Sequence, residues 1–206
     1  MKILLLGATG RVGSHLLNLS LGAGYHVNAL VRNADKIKIC DEKLDITQGS
    51  VLEDENIRKA MEKAELVISA LGTDGGTTLS ESMPSIIDAM RQEGVGRIIT
   101  IGTAGILDSR SEPGKLRYQS SESKRRTTRA AREHHKVYEM LESSGLDWTI
   151  VCPTYLPDGE YTGEYRVEQN FLPANGKSIS VPDTAEFAFS QIEDDSYVNS
   201  RAGITY

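Results

Sequence analysis

Three glycines near the start of the chain have the spacing of a phosphate-binding turn. Gly7, Gly10 and Gly13 form the pattern GxxGxxG directly after the apolar run at residues 3–6. A glycine turn between a strand and a helix lets the backbone approach a pyrophosphate, and the helix N-terminus offers N–H groups and a positive dipole end. The segment predicts a dinucleotide-binding loop, and an ordinary glycine-rich turn is the alternative. The expected contact residues are Gly7, Thr9, Gly10, Arg11, Val12 and Gly13.

A cation follows the second predicted strand, which spans His26–Val31. At this position of a Rossmann fold, an acidic residue binds the ribose 2′-OH of NAD, whereas an arginine accommodates the 2′-phosphate of NADP. Arg32 carries a planar guanidinium that matches phosphate geometry, and Arg11 offers a second cation. The sequence therefore predicts NADP(H) rather than NAD(H). The alternative is that Arg32 lies in a solvated loop without a ligand.

Ligands of open α/β sheets bind beyond the carboxyl ends of the strands. This rule adds three groups of candidate cofactor-binding residues beyond the glycine turn. At residues 71–73, small residues would let the ribose and nicotinamide lie against the backbone, and a plain strand-end turn is the alternative. The groups are Ser50 and Val51, then Leu71, Gly72 and Thr73, then Pro153, Thr154 and Tyr155.

Two residues are candidates for the chemistry itself. Thr103 follows the fifth predicted strand, and its hydroxyl would reach a carbonyl of the nicotinamide or the substrate. His134 and His135 lie in a predicted helix, where adjacent positions point about 100° apart, so we expect one of them to face the site. An imidazole there would orient the substrate or donate a proton, because it titrates near neutral pH. Thr103 and His134 are the predicted catalytic residues.

Other chemistries find little support in this chain. There is no HExxH or similar ligand spacing, so we predict no metal, and no GxSxG motif of a hydrolase. Cys40 and Cys152 are the two cysteines and lie far apart, which is typical of a reduced, cytoplasmic protein. The net charge of −6 argues against nucleic-acid binding, and no apolar run is long enough to span a membrane.

The elements that position these residues alternate between strand and helix. Such alternation predicts an α/β fold with a doubly wound, mostly parallel, Rossmann-type sheet. The predicted strands are Lys2–Leu6, His26–Val31, Asp45–Gln48, Leu66–Ala70, Arg97–Ile101 and Asp147–Val151. The predicted helices are Val12–Leu21, Glu53–Lys63, Ser82–Gln92 with Pro84 in its first turn, and Ser120–Glu142.

The length of 206 residues fits one domain. We predict a Rossmann core over residues 1–152 and a small C-terminal elaboration over 153–206 that caps the substrate pocket. Within this tail the pattern predicts a turn at 157–159, a strand near Gly163–Val167 and a helix over Thr184–Ile192. Residues 115–136 hold eight basic and two acidic side chains, either a solvated helix face or a rim that attracts an anionic substrate.

Several segments together resemble a known group of proteins. The residues GATGRVGSHLL at 7–17, VRN at 31–33, LGTDGG at 71–76 and GVGRIITIGTAG at 94–105 resemble the atypical short-chain dehydrogenase/reductase group. Within it, the NmrA-like proteins and the biliverdin-IXβ reductase/flavin reductase group are the most similar. The resemblance implies that the glycine loop and Arg32 bind NADP(H). It also implies that residues 71–73, 102–104 and 152–155 line the nicotinamide pocket.

One departure from ordinary short-chain reductases bears on activity. Their YxxxK pair is missing, because no tyrosine here has a lysine four residues later, and His134 and Ala130 stand at the two positions. A developing alkoxide would lack its acid, which makes ketone or alcohol oxidoreduction less favourable. The resemblance therefore implies an NADP(H)-dependent reductase of a flavin, quinone or similar conjugated small molecule. FMN or another flavin would be a substrate rather than a bound cofactor.

Two other functions stay open at this point. NmrA-like proteins include NADP-sensing regulators without turnover, and the same loop and Arg32 would serve such a sensor. A sugar-nucleotide epimerase or reductase fits less well, because the tail is short and the tyrosine is missing. In each case we expect a small-molecule partner, no nucleic acid or membrane, and a monomer or weak homodimer.

Overall fold

The computed structural model describes residues 1–73, 75–123 and 127–206. Within these described ranges, eight strands form one sheet in the order β3-β2-β1-β4-β5-β6-β8-β7, in which only the β7–β8 pair is antiparallel. The prediction of a doubly wound, mostly parallel Rossmann-type sheet is confirmed. The strands are β1 (Lys2–Leu6), β2 (His26–Val31), β3 (Leu44–Gln48), β4 (Leu66–Ser69), β5 (Arg97–Ile101), β6 (Asp147–Pro153), β7 (Arg166–Gln169) and β8 (Ser200–Thr205).

Five α-helices in the part of the chain that the structure describes cover both faces of the sheet. They are α1 (Arg11–Gly22), α2 (Asp54–Met61), α3 (Thr78–Glu93), α4 (Arg129–Glu142) and α5 (Val181–Ser190). Alternate residues of β1 face opposite layers: Leu4 packs with the core under α2, α3 and α4, whereas Ile3 packs with the core under α1 and α5. This alternation explains why the central strands are apolar throughout, since each strand is buried on both faces.

The sheet extends beyond the elements that the sequence predicted. β8 was missed, although its six residues are all buried between β6 and β7. Its charged residue Arg201 obscures the pattern, and that side chain is compensated by an ion pair with Asp108 (2.9 Å) and a stack over the Tyr138 ring. The strand predicted near Gly163–Val167 lies at Arg166–Gln169, and the helix predicted over Thr184–Ile192 is Val181–Ser190.

The start of α3 differs from the prediction. The helix begins at Thr78 rather than Ser82, so Pro84 lies in its interior and not in its first turn. Leu79 is 1% exposed and extends the buried face of the helix by a turn before Met83. Burial of this first turn therefore outweighs the preference of proline for a helix start.

The start of α4 also differs. It begins at Arg129, and the predicted start at Ser120 is wrong. Glu122 holds the preceding segment in a loop, because its carboxylate accepts hydrogen bonds from the Ser109 hydroxyl and the Ser111 N–H, both at 2.8 Å. Residues 115–136 are thus not one helical face, and residues 124–126 of that segment lie outside the described residues.

Candidate functional site

The first turn of the chain brings β1, β4 and α1 together through glycines. Gly7 has a φ of +80°, which favours glycine, and a Cβ added there would lie 2.5 Å from the carbonyl oxygen of Ala70. A Cβ on Gly13 would overlap the carbonyl oxygen of Gly7. Gly7 therefore lets the end of β1 approach the end of β4, and Gly13 lets the first turn of α1 pack against the end of β1, because neither carries a side chain.

The middle glycine keeps this turn tight. The Gly10 N–H donates to the Gly7 carbonyl at 2.9 Å, and a Cβ on Gly10 would lie 3.2 Å from the same oxygen. Gly10 is the N-cap of α1, makes no side-chain cap, and no acidic residue lies in the first turn. The N–H groups and the positive dipole end of α1 therefore lie at a glycine turn in which no side chain caps the helix. We call this turn, residues 7–13, the glycine cradle, and its arrangement is the one that a pyrophosphate requires.

The other predicted residues of this loop lie in different environments. Thr9 and Arg11 are exposed, whereas Val12 is buried in the core beneath the loop. The Arg11 guanidinium pairs with the Asp158 carboxylate and donates to the Leu156 carbonyl, both at 2.9 Å. Arg11 thus links the glycine loop to the segment that follows β6, which sequence spacing did not indicate.

Arg32 lies exposed directly after β2, at the edge where the glycine loop opens. The following turn is fixed, because the Asn33 side chain accepts a hydrogen bond from the Asp35 N–H at 2.9 Å. The next strand end is tied to β2 by the Gly49 N–H, which donates to the Val31 carbonyl at 2.9 Å. There, Ser50 is half-buried and Val51 packs against the core.

The end of β4 completes the same edge of the sheet. Leu71 packs against the core, Gly72 is exposed, and the Thr73 carbonyl accepts a hydrogen bond from the Gly76 N–H at 2.6 Å. The predicted cofactor-binding residues of β1, β2, β3 and β4 are therefore together at the carboxyl edge. Their roles in binding stay predictions.

A cavity of about 350 Å³ opens at the carboxyl ends of β5 and β6. It lies between these strand ends, the 3₁₀ turn Arg117–Gln119 and the first turn of α4. Five predicted site residues or neighbours line it, namely Thr103, Ala104, Pro153, Thr154 and Tyr155. Other lining residues include Gly105, Arg117, Tyr118, Ala130, Ala131 and Lys177.

Thr103 is fixed at the wall of this cavity. It caps the 3₁₀ turn Ala104–Ile106, where its Oγ accepts from the Gly105 N–H at 3.4 Å. Behind it, Cys152 is wholly buried, and burial raises the pKa of its thiol to about 12. A thiolate nucleophile is therefore absent from this wall of the described structure.

The two histidines of α4 have different surroundings. His134 lies one turn after Ala130, which lines the cavity, but His134 is not itself among the described lining residues. Burial lowers the pKa of His134 to about 4, with a smaller opposing effect from the Glu133 carboxylate, so this imidazole is neutral at neutral pH. The role of His134 in orienting the substrate or donating a proton to it stays a prediction. The neutral imidazole does not fit a role that needs the cationic imidazolium.

His135 reaches the cavity through a residue that the sequence did not indicate. Its Nδ1 is hydrogen-bonded to the Oη of Tyr118 at 2.9 Å, and Tyr118 lines the cavity. Tyr118 lies in the irregular segment between β5 and α4, so neither periodicity nor motif spacing marks it. Only the packing of that segment against α4 brings it to the site.

Charges around the cavity are partly compensated. Arg117 pairs with Glu122 at 3.1 Å with both side chains mostly buried, and burial lowers the pKa of Arg117 against the opposing effect of Glu122. Lys177 lies exposed at the rim. Within the described ranges, no three His, Cys, Asp or Glu side chains are close enough to hold a metal ion.

Comparison with known proteins agrees with this arrangement. The sequence pattern of a family described as NAD(P)H-binding matches residues 7–195. Because the match covers most of the chain, the protein belongs to this NAD(P)H-binding family, whose fold is the Rossmann fold. Across the described parts of the chain, none of the helices is both long and apolar enough to cross a membrane.

Individual relatives extend the comparison. A Bacteroides thetaiotaomicron protein provisionally described as an epimerase is 30% identical, with a TM-score of 0.84 over 100% of this chain and 96% of its own. ChuY, an anaerobillin reductase from Escherichia coli O157:H7, is 25% identical, with a TM-score of 0.83 over 100% of this chain and 97% of its own. The isoflavone reductase of Medicago sativa is 27% identical over 171 residues.

The isoflavone reductase match covers 73% of this chain and 49% of the plant protein, so the chain spans about half the length of that relative. These findings confirm the predicted resemblance to the atypical short-chain reductases. The chain is an NAD(P)H-binding, oxidoreductase-like protein.

Proposed function

We propose that the protein is an NADPH-dependent reductase of a small conjugated acceptor, such as a flavin or a quinone. The observation that carries this proposal is the position of the cavity at the carboxyl ends of β5 and β6, on the same sheet edge as the glycine cradle. A nucleotide lying along that edge would meet an acceptor in the cavity. Ligands of open α/β sheets bind along this edge.

The residues of the glycine turn fit a pyridine nucleotide. A side chain at Gly7 or Gly13 would collide with backbone atoms of Ala70 or Gly7, so these glycines allow the tight turn that places the N-terminus of α1 at the end of β1. The N–H groups of such a helix start can bind a pyrophosphate. When bound, NADPH supplies a hydride equivalent from C4 of its nicotinamide ring. The protein would contribute binding and orientation, which can account for a large part of such a rate enhancement.

Arg32 supports NADPH over NADH. It occupies the position after β2 at which a carboxylate would accept from a ribose 2′-OH, and it is exposed to solvent. A guanidinium can bind the 2′-phosphate through two hydrogen bonds. Lys36, also exposed in the next turn, adds a second positive charge on this side of the loop.

The cavity suits a compact acceptor with polar oxygens. Its wall offers the Thr103 hydroxyl, Ala104 and Ala131 provide apolar surface, and Lys177 stands at the rim. Two relatives carry the names of reductases, for anaerobillin and for isoflavone. Conjugated acceptors delocalise the incoming electrons, so the absence of the YxxxK pair does not exclude their reduction.

The proposal is tested by following NADPH oxidation at 340 nm with FMN, riboflavin and a series of quinones. We expect turnover with at least one of these acceptors and a clear preference for NADPH over NADH. Tight NADPH binding without oxidation of the nucleotide across the series would instead favour a non-catalytic NADP sensor.

The cofactor preference has its own test. Arg32→Ser should raise the Kd for NADPH at least tenfold and leave the Kd for NADH within about twofold, because only NADPH carries the 2′-phosphate. Arg58→Ser, which removes an exposed arginine from α2, is the matched control and should change neither value. Equal affinity of the unaltered protein for both nucleotides would overturn the assignment of Arg32.

A further inference from the structure

A tyrosine and a histidine form a bonded pair at the cavity. Tyr118 lies in the 3₁₀ turn Arg117–Gln119, and its Oη is 2.9 Å from the Nδ1 of His135. The Gln119 side chain donates to the same Oη at 3.2 Å. The two rings also meet edge to face, with centroids 5.7 Å apart. Two hydrogen bonds and one ring contact therefore fix the phenol group of Tyr118.

On the side away from Tyr118, the imidazole of His135 contacts a side chain that reaches solvent. The Nε2 of His135 is 3.6 Å from the carboxylate of Glu139, whose side chain is 62% exposed. The imidazole also stacks on the ring of Tyr138, with centroids 6.4 Å apart. Tyr118, His135 and Glu139 thus form a continuous polar path from the cavity wall to bulk water.

Tyr118 lies close to Thr103. A Cβ placed on Gly105 would lie 3.5 Å from the Cβ of Tyr118 and 3.6 Å from the Cγ2 of Thr103. The same position would be 3.0 Å from the Cβ of Ala131. The small residues Gly105 and Ala131 therefore let the turn that carries Tyr118 pack next to the wall that carries Thr103.

We propose that Tyr118 is the proton donor of this active site and that His135 positions and reprotonates it. This inference rests on the proposed reductase function and assigns the acid that the missing YxxxK tyrosine would otherwise supply. Both Tyr118 and Thr103 line the cavity, so an acceptor there would meet a phenol on one side and an aliphatic hydroxyl on the other.

The proton and electron balance of the step is complete. The acceptor gains two electrons and one hydrogen from the reduced nicotinamide, which leaves a negative charge on a neutral acceptor's oxygen or nitrogen. The O–H bond of Tyr118 breaks, and a new O–H or N–H bond forms on that atom. The Nε2 of His135, on the side that faces Glu139, takes up a proton from solvent as its Nδ1 gives its own proton to the phenolate, so the imidazole stays neutral and the phenol is restored.

Other groups at the site fit this role less well. Thr103 carries an aliphatic hydroxyl, which donates a hydrogen bond but is a very weak acid. Cys152 is wholly buried behind the wall, and His134 lacks the added proton at neutral pH. Among the described lining residues, Tyr118 alone combines a phenol with a bonded histidine.

The experiment compares two acceptors that differ in their need for a proton. A neutral quinone such as menadione becomes an anion on accepting a hydride, whereas the cationic dye methylene blue becomes neutral. Tyr118→Phe should lower kcat with menadione by about 10²-fold, the usual contribution of a general acid, and leave kcat with methylene blue within threefold. Tyr25→Phe is the matched control, since it removes a phenol oxygen bonded to Glu193 (2.7 Å) outside the cavity.

A binding measurement gives a readout that does not depend on turnover. 4-Nitrophenolate is a small conjugated oxyanion that imitates the charge left on the acceptor, and its absorbance reports on hydrogen bonding. With NADP⁺ present, we expect the protein to bind it, Tyr118→Phe to raise its Kd at least tenfold, and Tyr25→Phe to have no effect. Absence of binding to the unaltered protein would count against the proposal.

The role of His135 is tested by a graded pair of variants. Asn places a hydrogen-bonding nitrogen or oxygen near the position of Nδ1, whereas Leu does not. His135→Asn should therefore retain several-fold more menadione turnover than His135→Leu, with the methylene blue rate unchanged in both. Equal rates in the two variants would contradict the positioning role.

The outcomes separate this inference from the proposed function. Turnover that is insensitive to Tyr118→Phe would overturn the inference and leave the reductase function intact. An equal loss of kcat with menadione and with methylene blue would show that Tyr118 has a structural role, and this result would also overturn the inference. If the unaltered protein reduces no acceptor, the proposed function fails, and 4-nitrophenolate binding still decides whether Tyr118 donates to an oxyanion.

Discussion

The glycine loop and the cavity lie on the same edge of the sheet but are built in different ways. The loop is defined by its backbone, since a Cβ on Gly7 or Gly13 would collide with neighbouring backbone atoms. The cavity is defined by side chains from β5, β6, α4 and the turn at 117–119. The glycine loop therefore depends mainly on one contiguous segment, whereas the cavity depends on several segments that are remote in sequence.

This difference has a functional consequence. A backbone cradle recognises a group common to many nucleotides, so it can serve different reactions without change. Side chains such as Tyr118 and Lys177 can vary without disturbing the cradle, because they belong to other elements. We therefore expect changes at the loop to abolish all activities together and changes at the cavity to affect the acceptor alone.

The largest effect should come from the loop itself. Gly13→Ala places a Cβ against the Gly7 carbonyl and should lower the free energy of unfolding by about 3 kcal/mol, as overpacking of a fixed backbone does. NADPH binding should weaken at least 100-fold. Urea unfolding and fluorescence titration measure the two effects.

A graded set of glycine variants gives the control. A Cβ on Gly10 would lie 3.2 Å from the Gly7 oxygen, so Gly10→Ala should have an intermediate effect. A Cβ on Gly22, the last residue of α1, would meet no atom within 4 Å from the rest of the described structure outside its own helical turn, so Gly22→Ala should be neutral or slightly stabilising. A Gly13→Ala protein that bound NADPH normally would contradict the cradle.

The second prediction concerns a buried cation behind the cavity. Arg201 is 5% exposed, donates to the Ile106 carbonyl and the Asp108 carboxylate, and lies over the Tyr138 ring. Arg201→Met removes the charged hydrogen bonds to the Ile106 carbonyl and to Asp108, whose side chain is 37% exposed, and should lower the free energy of unfolding by about 2 kcal/mol. Because Arg201 binds the Ile106 carbonyl in the 3₁₀ turn whose Ala104 and Gly105 line the cavity, acceptor turnover should fall while the Kd for NADPH stays within about threefold.

Arg58→Met, at an exposed site on α2, is the control for this variant and should change stability by less than about 0.5 kcal/mol. An Arg201→Met protein that lost NADPH affinity and acceptor turnover equally would show that the two regions are not independent.

The third prediction concerns the segment that follows β6. Asp183 is wholly buried and accepts hydrogen bonds from the Thr162 and Gly163 N–H groups, both at 2.9 Å, and from the Tyr206 hydroxyl at 2.6 Å. Burial by itself would raise the pKa of Asp183, but these hydrogen bonds outweigh it and lower the pKa below its usual value.

The sign of the pH dependence follows from this direction. A lowered pKa in the folded protein contributes stability above the unfolded pKa of about 3.9, and that contribution is lost as pH falls through the lower folded value. Asp183→Asn should be destabilised by about 2 kcal/mol at pH 7, as expected for loss of charge-assisted hydrogen bonds. The difference from the unaltered protein should shrink between pH 5 and 2; a constant difference would contradict this account.

The smallest effect should come from the contact that joins the two regions. The Arg11–Asp158 pair spans 2.9 Å, but the side chains are 58% and 83% exposed. Solvent screens such a pair, so Asp158→Asn should change the free energy of unfolding by less than about 0.5 kcal/mol. Thermal denaturation in low and high salt checks this, and a loss above about 1 kcal/mol would show that the regions are coupled here.

The same contrast explains what the sequence could predict. The bounds of β1, β2 and β5 were predicted correctly, because each is a short apolar run next to a turn signal. The glycine loop was recognisable because its function depends on local spacing. β8 was missed because the buried charge of Arg201 is compensated by Asp108, which lies 93 positions away in sequence.

The residues of the candidate site also differ in how far the sequence could predict them. Thr103 could be proposed because it follows a recognisable strand, whereas Tyr118 lies in a loop that Glu122 and the 3₁₀ turn hold in place. The predicted long helix from Ser120 concealed this loop, because charged residues at 120–142 fit a helix as well as a coil. Contacts between remote segments, rather than local propensity, decide that part of the fold.

The most direct test of the central claim is calorimetric titration of the purified protein with NADPH and with NADH. The account predicts one site per chain, saturable binding of NADPH and an affinity for NADH at least tenfold weaker. Heat from neither nucleotide would contradict the assignment of the glycine loop and of Arg32 together.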